Sequence, residues 1–173
     1  VTHIFNAMRP LHHREPGLIG QAFVDNSVYA EVIADCMHTH QVILEIFLKQ
    51  KSKDKVIFIS DSIPLNNAPT DSLEFGGYQI FKKDGKAVNE SGTMAGSMMF
   101  LDKICNVLLN KNIVNFFDFI GYASLNPSQN LGLTDYGYIN NGFVADIVLW
   151  KQSQNLEIEK TLINGKIAYT KSV

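Results

Sequence analysis

Only two cysteines, Cys36 and Cys105, occur in 173 residues. That is too few for a disulfide scaffold and fits a reduced, cytoplasmic chain. Prolines number 5 and glycines 12, so collagen-like and low-complexity readings both fail. Excess charge of either sign is missing, because 15 basic and 17 acidic residues leave a formal net charge of −2. Neither nucleic acid nor an anionic lipid surface is therefore expected as a partner. No run of about 18 apolar residues is present, so no membrane span is expected. A P-loop, a Rossmann fingerprint and a Cys-x-x-Cys metal pair are all absent. The chain also lacks an initiator Met, a signal peptide and a tag, and opens Val1-Thr2-His3-Ile4-Phe5 as if inside a folded element. A preceding segment is therefore expected. What is present is ordinary for a globular chain: 46% apolar and 18% charged residues, enough to bury a core.

Residues 28–34 are rich in β-formers and stop at Asp35, which predicts a strand. From about 40 to 50, Val42, Ile43, Ile46 and Phe47 recur at helical spacing. Residues 56–59 form an unbroken apolar run closed by Ser60-Asp61, the pattern of a parallel strand buried on both faces. Strand, helix and strand over about 30 residues make a βαβ unit. Residues 78–81 and the stretch after Asp84-Gly85 predict a hairpin, and Gly76-Gly77 reads as turn chemistry. Two helices follow, one on Leu101, Ile104, Cys105 and Leu108, the other on Ile113, Phe116, Phe117 and Ile120. Residues 145–150 and 158–163 read as strands, with Asn164-Gly165 turning into a return strand over 166–169.

Titratable groups fall at three predicted strand ends: His3, then Asp35 and His38, then Asp61. In α/β barrels chemistry sits at such ends. Each residue also has a plain reading. A single His is commonly a surface or hydrogen-bonded residue, and an Asp after a strand commonly caps a helix or turn. His12-His13-Arg14 reads equally well as a solvated loop, Cys36 and Cys105 as small core residues, and Asn89-Glu90-Ser91 as a chance sequon.

Taken together, several motifs carry a resemblance. Thr2-His3-Ile4-Phe5-Asn6-Ala7-Met8 followed by His13-Arg14-Glu15-Pro16-Gly17 resembles the central signature of the N-acetylglucosamine-6-phosphate deacetylases, metal-dependent amidohydrolases. Ile33-Ala34-Asp35-Cys36-Met37-His38, Ser60-Asp61-Ser62, Gly92-Thr93-Met94-Ala95-Gly96-Ser97, Asn126-Pro127 and Gly142-Phe143-Val144-Ala145-Asp146 resemble later landmarks in the same order. Cys36 stands where that family usually has Gly. The resemblance implies an α/β fold, with residues 1–135 as the C-terminal part of a TIM-like (β/α)8 barrel and residues 136–173 as strands of a small β-sandwich. A complete barrel needs roughly 250 residues, so the N-terminal half of the enzyme is expected as a missing partner.

The resemblance also implies roles. The reaction is hydrolysis of the acetamide of N-acetylglucosamine 6-phosphate to glucosamine 6-phosphate and acetate. His3 matches a ligand of a divalent metal, zinc first and iron as the alternative. Asp61 matches the catalytic general base and acid. Arg14, Asn6 and Ala7 match phosphate- and sugar-binding positions, with Arg14 reaching a neighbouring subunit in a homodimer. Asp35, Cys36, Met37 and His38 match a substrate-contacting segment, and Met94, Ala95, Gly96 and Ser97 a loop near the acetyl group. Two other readings stay open: an amidohydrolase for a different amide, and a non-catalytic fragment or subunit. The chain alone is expected to be inactive.

Overall fold

The computed structural model describes residues 1–172. In chain order the elements are α1 (Gly17–Val24), β1 (Ala30–Ile33), α2 (Gln41–Gln50), β2 (Val56–Ile59), β3 (Ser72–Phe75), β4 (Tyr78–Lys83), β5 (Lys86–Asn89), α3 (Leu101–Asn110), α4 (Phe116–Ile120), α5 (Asn126–Asn130), β6 (Ile147–Gln152), β7 (Leu156–Ile163) and β8 (Lys166–Thr170). The class is α/β, as expected.

The predicted βαβ unit is present. β1 and β2 pair in parallel, Ala30 opposite Val56 through Ile33 opposite Ile59. Both are buried on two faces, which is why they read as apolar runs rather than as alternation. Residues 1–4 lie along β1 in the same direction. The Glu31 N–H donates to the Val1 carbonyl at 2.8 Å, and the Ile4 N–H donates to the Glu31 carbonyl at 2.7 Å. Phe47, Leu44, Phe58, Ile4, Ile104, Leu108, Phe119 and Tyr122 close around these strands in one apolar cluster.

Three local expectations need correction. Helix α2 forms where predicted, but it buries Leu44 and Phe47 and leaves Val42 (53% exposed), Ile43 and Ile46 outward. Periodicity found the helix and misjudged which flank of its apolar stripe meets the sheet. Helix α4 starts at Phe116 and not at Ile113, because the Asn115 side chain accepts the Asp118 N–H at 2.8 Å and caps it there. Phe117, assigned to the inner face, is 86% exposed, whereas Phe119 and Tyr122 are buried. A π-type turn over 121–125 then shifts the helical phase before Pro127, which has no N–H to give to the preceding turn. The sequence patterns do not announce α1 or β3. In α1, Gly20 is required by close packing, since a Cβ there would stand 2.4 Å from the Pro16 Cβ.

β3, β4 and β5 form an antiparallel meander turning at Gly76-Gly77 and Asp84-Gly85. It covers a small second cluster of Ile63, Leu65, Ile80 and Ala87. β6, β7 and β8 form a second meander, with Asn164 and Gly165 both at positive φ as a type I′ turn demands. Asn106 splices this sheet to α3: its amide donates to the Leu156 carbonyl and accepts the Leu156 N–H, both at 2.8 Å. Asn126, part of a motif noted above, is buried and donates to the carbonyls of Lys53 and Val56, pinning α5 to the foot of β2.

Candidate active site

Parallel strands end at one edge, so the turns at 3–7, 34–38 and 60–63 open on the same side of the sheet. Their backbone is unusual. Among the described residues, non-glycine positive φ values occur at His3, Phe5, Ala7, Cys36, Asp61, Asp84, Asn112 and Asn164. The last three are Asp or Asn in turns, which tolerate that region. The first five lie on the strand-end turns and include residue types that resist it. Such strain persists only where surrounding packing over-determines it, and it gathers at functional sites. Cys36, at φ 61°, also explains why Gly suits that position.

His3 is half-buried, and its Nδ1 sits 3.1 Å from the Asn6 carbonyl oxygen. A carbonyl only accepts, so Nδ1 carries a proton, and in the neutral ring Nε2 then keeps its lone pair, the form a metal ligand needs. The Asn6 side chain in turn donates to the Ile4 carbonyl at 3.3 Å. A metal needs more than this. No group of three His, Cys, Asp or Glu side chains that could hold an ion exists among the described residues. A catalytic zinc usually takes three protein ligands. The donors on this chain therefore do not by themselves fit the metal that the resemblance implies.

Asp35 is 2% exposed and fully engaged. Its Oδ1 accepts the N–H groups of Met37 and His38 at 2.8 and 2.9 Å, and its Oδ2 faces His38 Nδ1 at 2.8 Å. The Ser97 hydroxyl donates to the same Oδ2 at 3.0 Å. Burial alone would raise this carboxyl's pKa. The hydrogen bonds from His38 and Met37 and the His38 charge outweigh that and hold it below the ordinary value. Asp35 and Ser97, expected within substrate-contacting segments, have buried side chains that bond to each other, to the His38 ring and to backbone. Burial pushes the Cys36 thiol up, so Cys36 is not a ready thiolate.

Asp61 differs in kind. It is exposed at the end of β2, and its carboxylate takes no hydrogen bond or ion pair from a described residue. Its backbone is fixed instead. The Ser97 N–H donates to the Asp61 carbonyl at 2.8 Å, and Ser62 bridges Ser97 in parallel. Gly96 packs so closely that a Cβ would meet Ile63 Cγ2 at 2.5 Å and the Asp61 carbonyl oxygen at 2.9 Å. Upstream, the Ala95 N–H donates to the Ala87 carbonyl at 3.0 Å and Met94 bridges Val88. Residues 94–97 are thus a strap from the small meander to the end of β2. Sequence reasoning reads them as a ligand loop and misses this bracing, for which the only available sign is a glycine among small residues. Arg14 stands apart on an exposed loop, with its guanidinium unpartnered among the described residues. No helix here is long and apolar enough to cross a membrane among the described residues.

The profile of the amidohydrolase family matches residues 2–168. The chain belongs to the amidohydrolase family. Among curated relatives, an N-acetylglucosamine-6-phosphate deacetylase of Bacillus subtilis is 32% identical over 170 residues, covering 98% of this chain and 42% of its own length. An Escherichia coli K12 protein, whose name offers N-acetylgalactosamine-6-phosphate deacetylase as its assignment, is 28% identical and is covered over 98% of its length. The solved N-acetylglucosamine-6-phosphate deacetylase of Thermotoga maritima superposes with a TM-score of 0.90 at 28% identity, over 99% of this chain and 47% of that one. This amidohydrolase chain thus spans under half the length of the first relatives it matches.

Proposed function

We propose that this chain carries the acid–base carboxylate and most of the sugar-phosphate contacts of an amidohydrolase that removes the acetyl group from an N-acetylamino sugar 6-phosphate, N-acetylglucosamine 6-phosphate first. The observation that supports it is the placement of His3, His38 and Asp61 on turns at one strand-end edge, with His3 and Asp61 in left-handed backbone and Gly96 and Ser97 bracing the Asp61 backbone. On this reading residues 1–135 are the C-terminal part of a TIM-like barrel and 136–173 belong to a β-sandwich.

Amide hydrolysis needs a proton taken from attacking water and a proton given to the departing nitrogen. Asp61 is suited to both, being exposed, free of competing partners and rigid in its backbone. Asn6, Ala7 and the free guanidinium of Arg14 take the phosphate, Arg14 from across a homodimer. Cys36, Met37, His38, Met94, Ala95 and Gly96 line the sugar and acetyl group, with Asp35 and Ser97 behind them. Amidohydrolases are generally metal-dependent. Here His3 offers one imidazole, so the remaining zinc or iron ligands must come from residues outside this chain.

The test is acetate release with this chain joined to the preceding segment that the resemblance implies. Asp61→Asn should lower kcat by at least about 100-fold with little change in KM. Arg14→Ala should raise KM for the phosphorylated sugar far more than for N-acetylglucosamine. Full turnover by the Asp61→Asn variant would overturn the reading. A binding or assembly role without chemistry is favoured by one observation, the lack of a three-ligand cluster among the described residues. It predicts no acetate release even in the joined protein. Running N-acetylgalactosamine 6-phosphate in parallel decides the sugar.

A further inference from the structure

We propose that Asp35 is a positioning residue that fixes the tautomer of His38 and locks its ring to the strap that braces Asp61. The functional sense of this rests on the deacetylase reading, while the geometry stands without it. A carboxylate has about four lone-pair sites, and all four are occupied here. Oδ1 accepts two backbone N–H groups, from Met37 and His38, at 2.8 and 2.9 Å. Oδ2 accepts the Ser97 hydroxyl at 3.0 Å and faces His38 Nδ1 at 2.8 Å. An ionised carboxylate only accepts, so His38 Nδ1 must carry a proton. In the neutral ring Nε2 is then a bare acceptor. That atom has no described partner and is not among the buried unpartnered atoms, of which Thr39 Oγ1 alone is found among the described residues. The His38 side chain is 6% exposed, so Nε2 keeps only a narrow opening to solvent.

The second half of the device is the strap. Ser97 is 1% exposed, lies 62 positions from Asp35 in sequence, and also accepts the Met99 N–H at 3.1 Å through its hydroxyl. Its own N–H holds the Asp61 carbonyl. One buried carboxylate thus connects the turn bearing His38 to the turn bearing Asp61. The His38 ring and the Asp61 backbone are thereby tied to one buried centre.

Asp35→Asn isolates this role. The two backbone N–H groups demand an oxygen at the Oδ1 position, so the amide nitrogen must occupy the Oδ2 position. There it donates to His38 Nδ1 and drives the ring proton to Nε2. Replacing the carboxylate of a Ser-His-Asp triad by Asn acts through the same tautomer change. Long-range ¹⁵N–¹H imidazole spectra of the 173-residue chain, taken above the imidazole titration, read the tautomer directly. The native chain should show the Nδ1–H form and the Asp35→Asn variant the Nε2–H form, with faster amide exchange at Met99. Ser97→Ala should speed that exchange and leave His38 in the Nδ1–H form. A native Nε2–H ring, or an unchanged tautomer in a folded Asp35→Asn variant, overturns the proposal. If Asp35→Asn does not fold, the native and Ser97→Ala spectra decide, and an Nε2–H ring in either overturns it. No substrate is needed, so this result and that of the acetate assay fail or stand separately.

Discussion

The parallel face of β1 and β2 and the antiparallel sheet of β6, β7 and β8 are built on opposite plans. The parallel strands are four residues each, buried on both sides, and end in strained turns that hold titratable groups. The antiparallel strands reach eight residues, expose apolar groups such as Val148, Leu149 and Ile167, and carry a surface ion pair between Lys171 and Glu157. They meet the rest through Asn106 and through the edge-to-face contact of Trp150 with Phe116. A strand end can hold a side chain to a fraction of an ångström only if the strand cannot shift, and close packing on two faces supplies that. The tail sheet lacks such packing, and no candidate residue lies on it.

The largest effect should expose this asymmetry. Phe58 is buried against Phe119 and Tyr122, with ring centroids at 5.9 and 4.9 Å, whereas Tyr169 on β8 is half exposed. Phe58→Ala should cost about 3–5 kcal/mol and Tyr169→Ala no more than about 0.5, read as urea midpoints. Equal losses would mean that the two sheets are equally packed. Next, Gly96→Ala places a Cβ at positive φ against Ile63 and the Asp61 carbonyl. A loss of about 1–3 kcal/mol is expected, with displaced amide shifts at Ser62. Stability unchanged from native would show that the strap is slack.

A smaller effect concerns Cys36, where Gly and Ala can be compared directly because both remove the thiol. At φ 61° Gly should be more stable than Ala by about 1 kcal/mol, the reverse of their usual order. The finest distinction is in pH. The Asp35 carboxyl is held below its ordinary value in the fold, so it contributes stability above the ordinary carboxylate pKa and loses it as pH falls through the lowered value. As pH falls below about 4 the native chain should lose more stability than Asp35→Asn does. Parallel curves would remove Asp35 as a source of acid sensitivity.

Much of this molecule was legible because its signals are local. Residues 56–59 are apolar without interruption, and only a strand buried on both faces needs that pattern. Asn164-Gly165 names its own turn, since few residue pairs accept two positive φ values. The motifs around His3, Asp35 and Asp61 pointed to turns that the structure gathers at one edge, because short polar groups just after apolar runs are where strands can present chemistry. What the sequence could not decide was which member of a motif faces a ligand and which stands behind it. Asp35 and His38 are three residues apart and equally polar, yet every acceptor site of Asp35 is taken, whereas His38 Nε2 has no described partner. That choice came from Ser97, 62 positions away. The outward flank of α2 and the exposure of Phe117 were likewise set by what packs against them, and packing partners distant in the chain leave no trace in a local pattern. Element type follows from neighbours in sequence, whereas a side chain's role follows from neighbours in space, and only the tertiary structure brings those together.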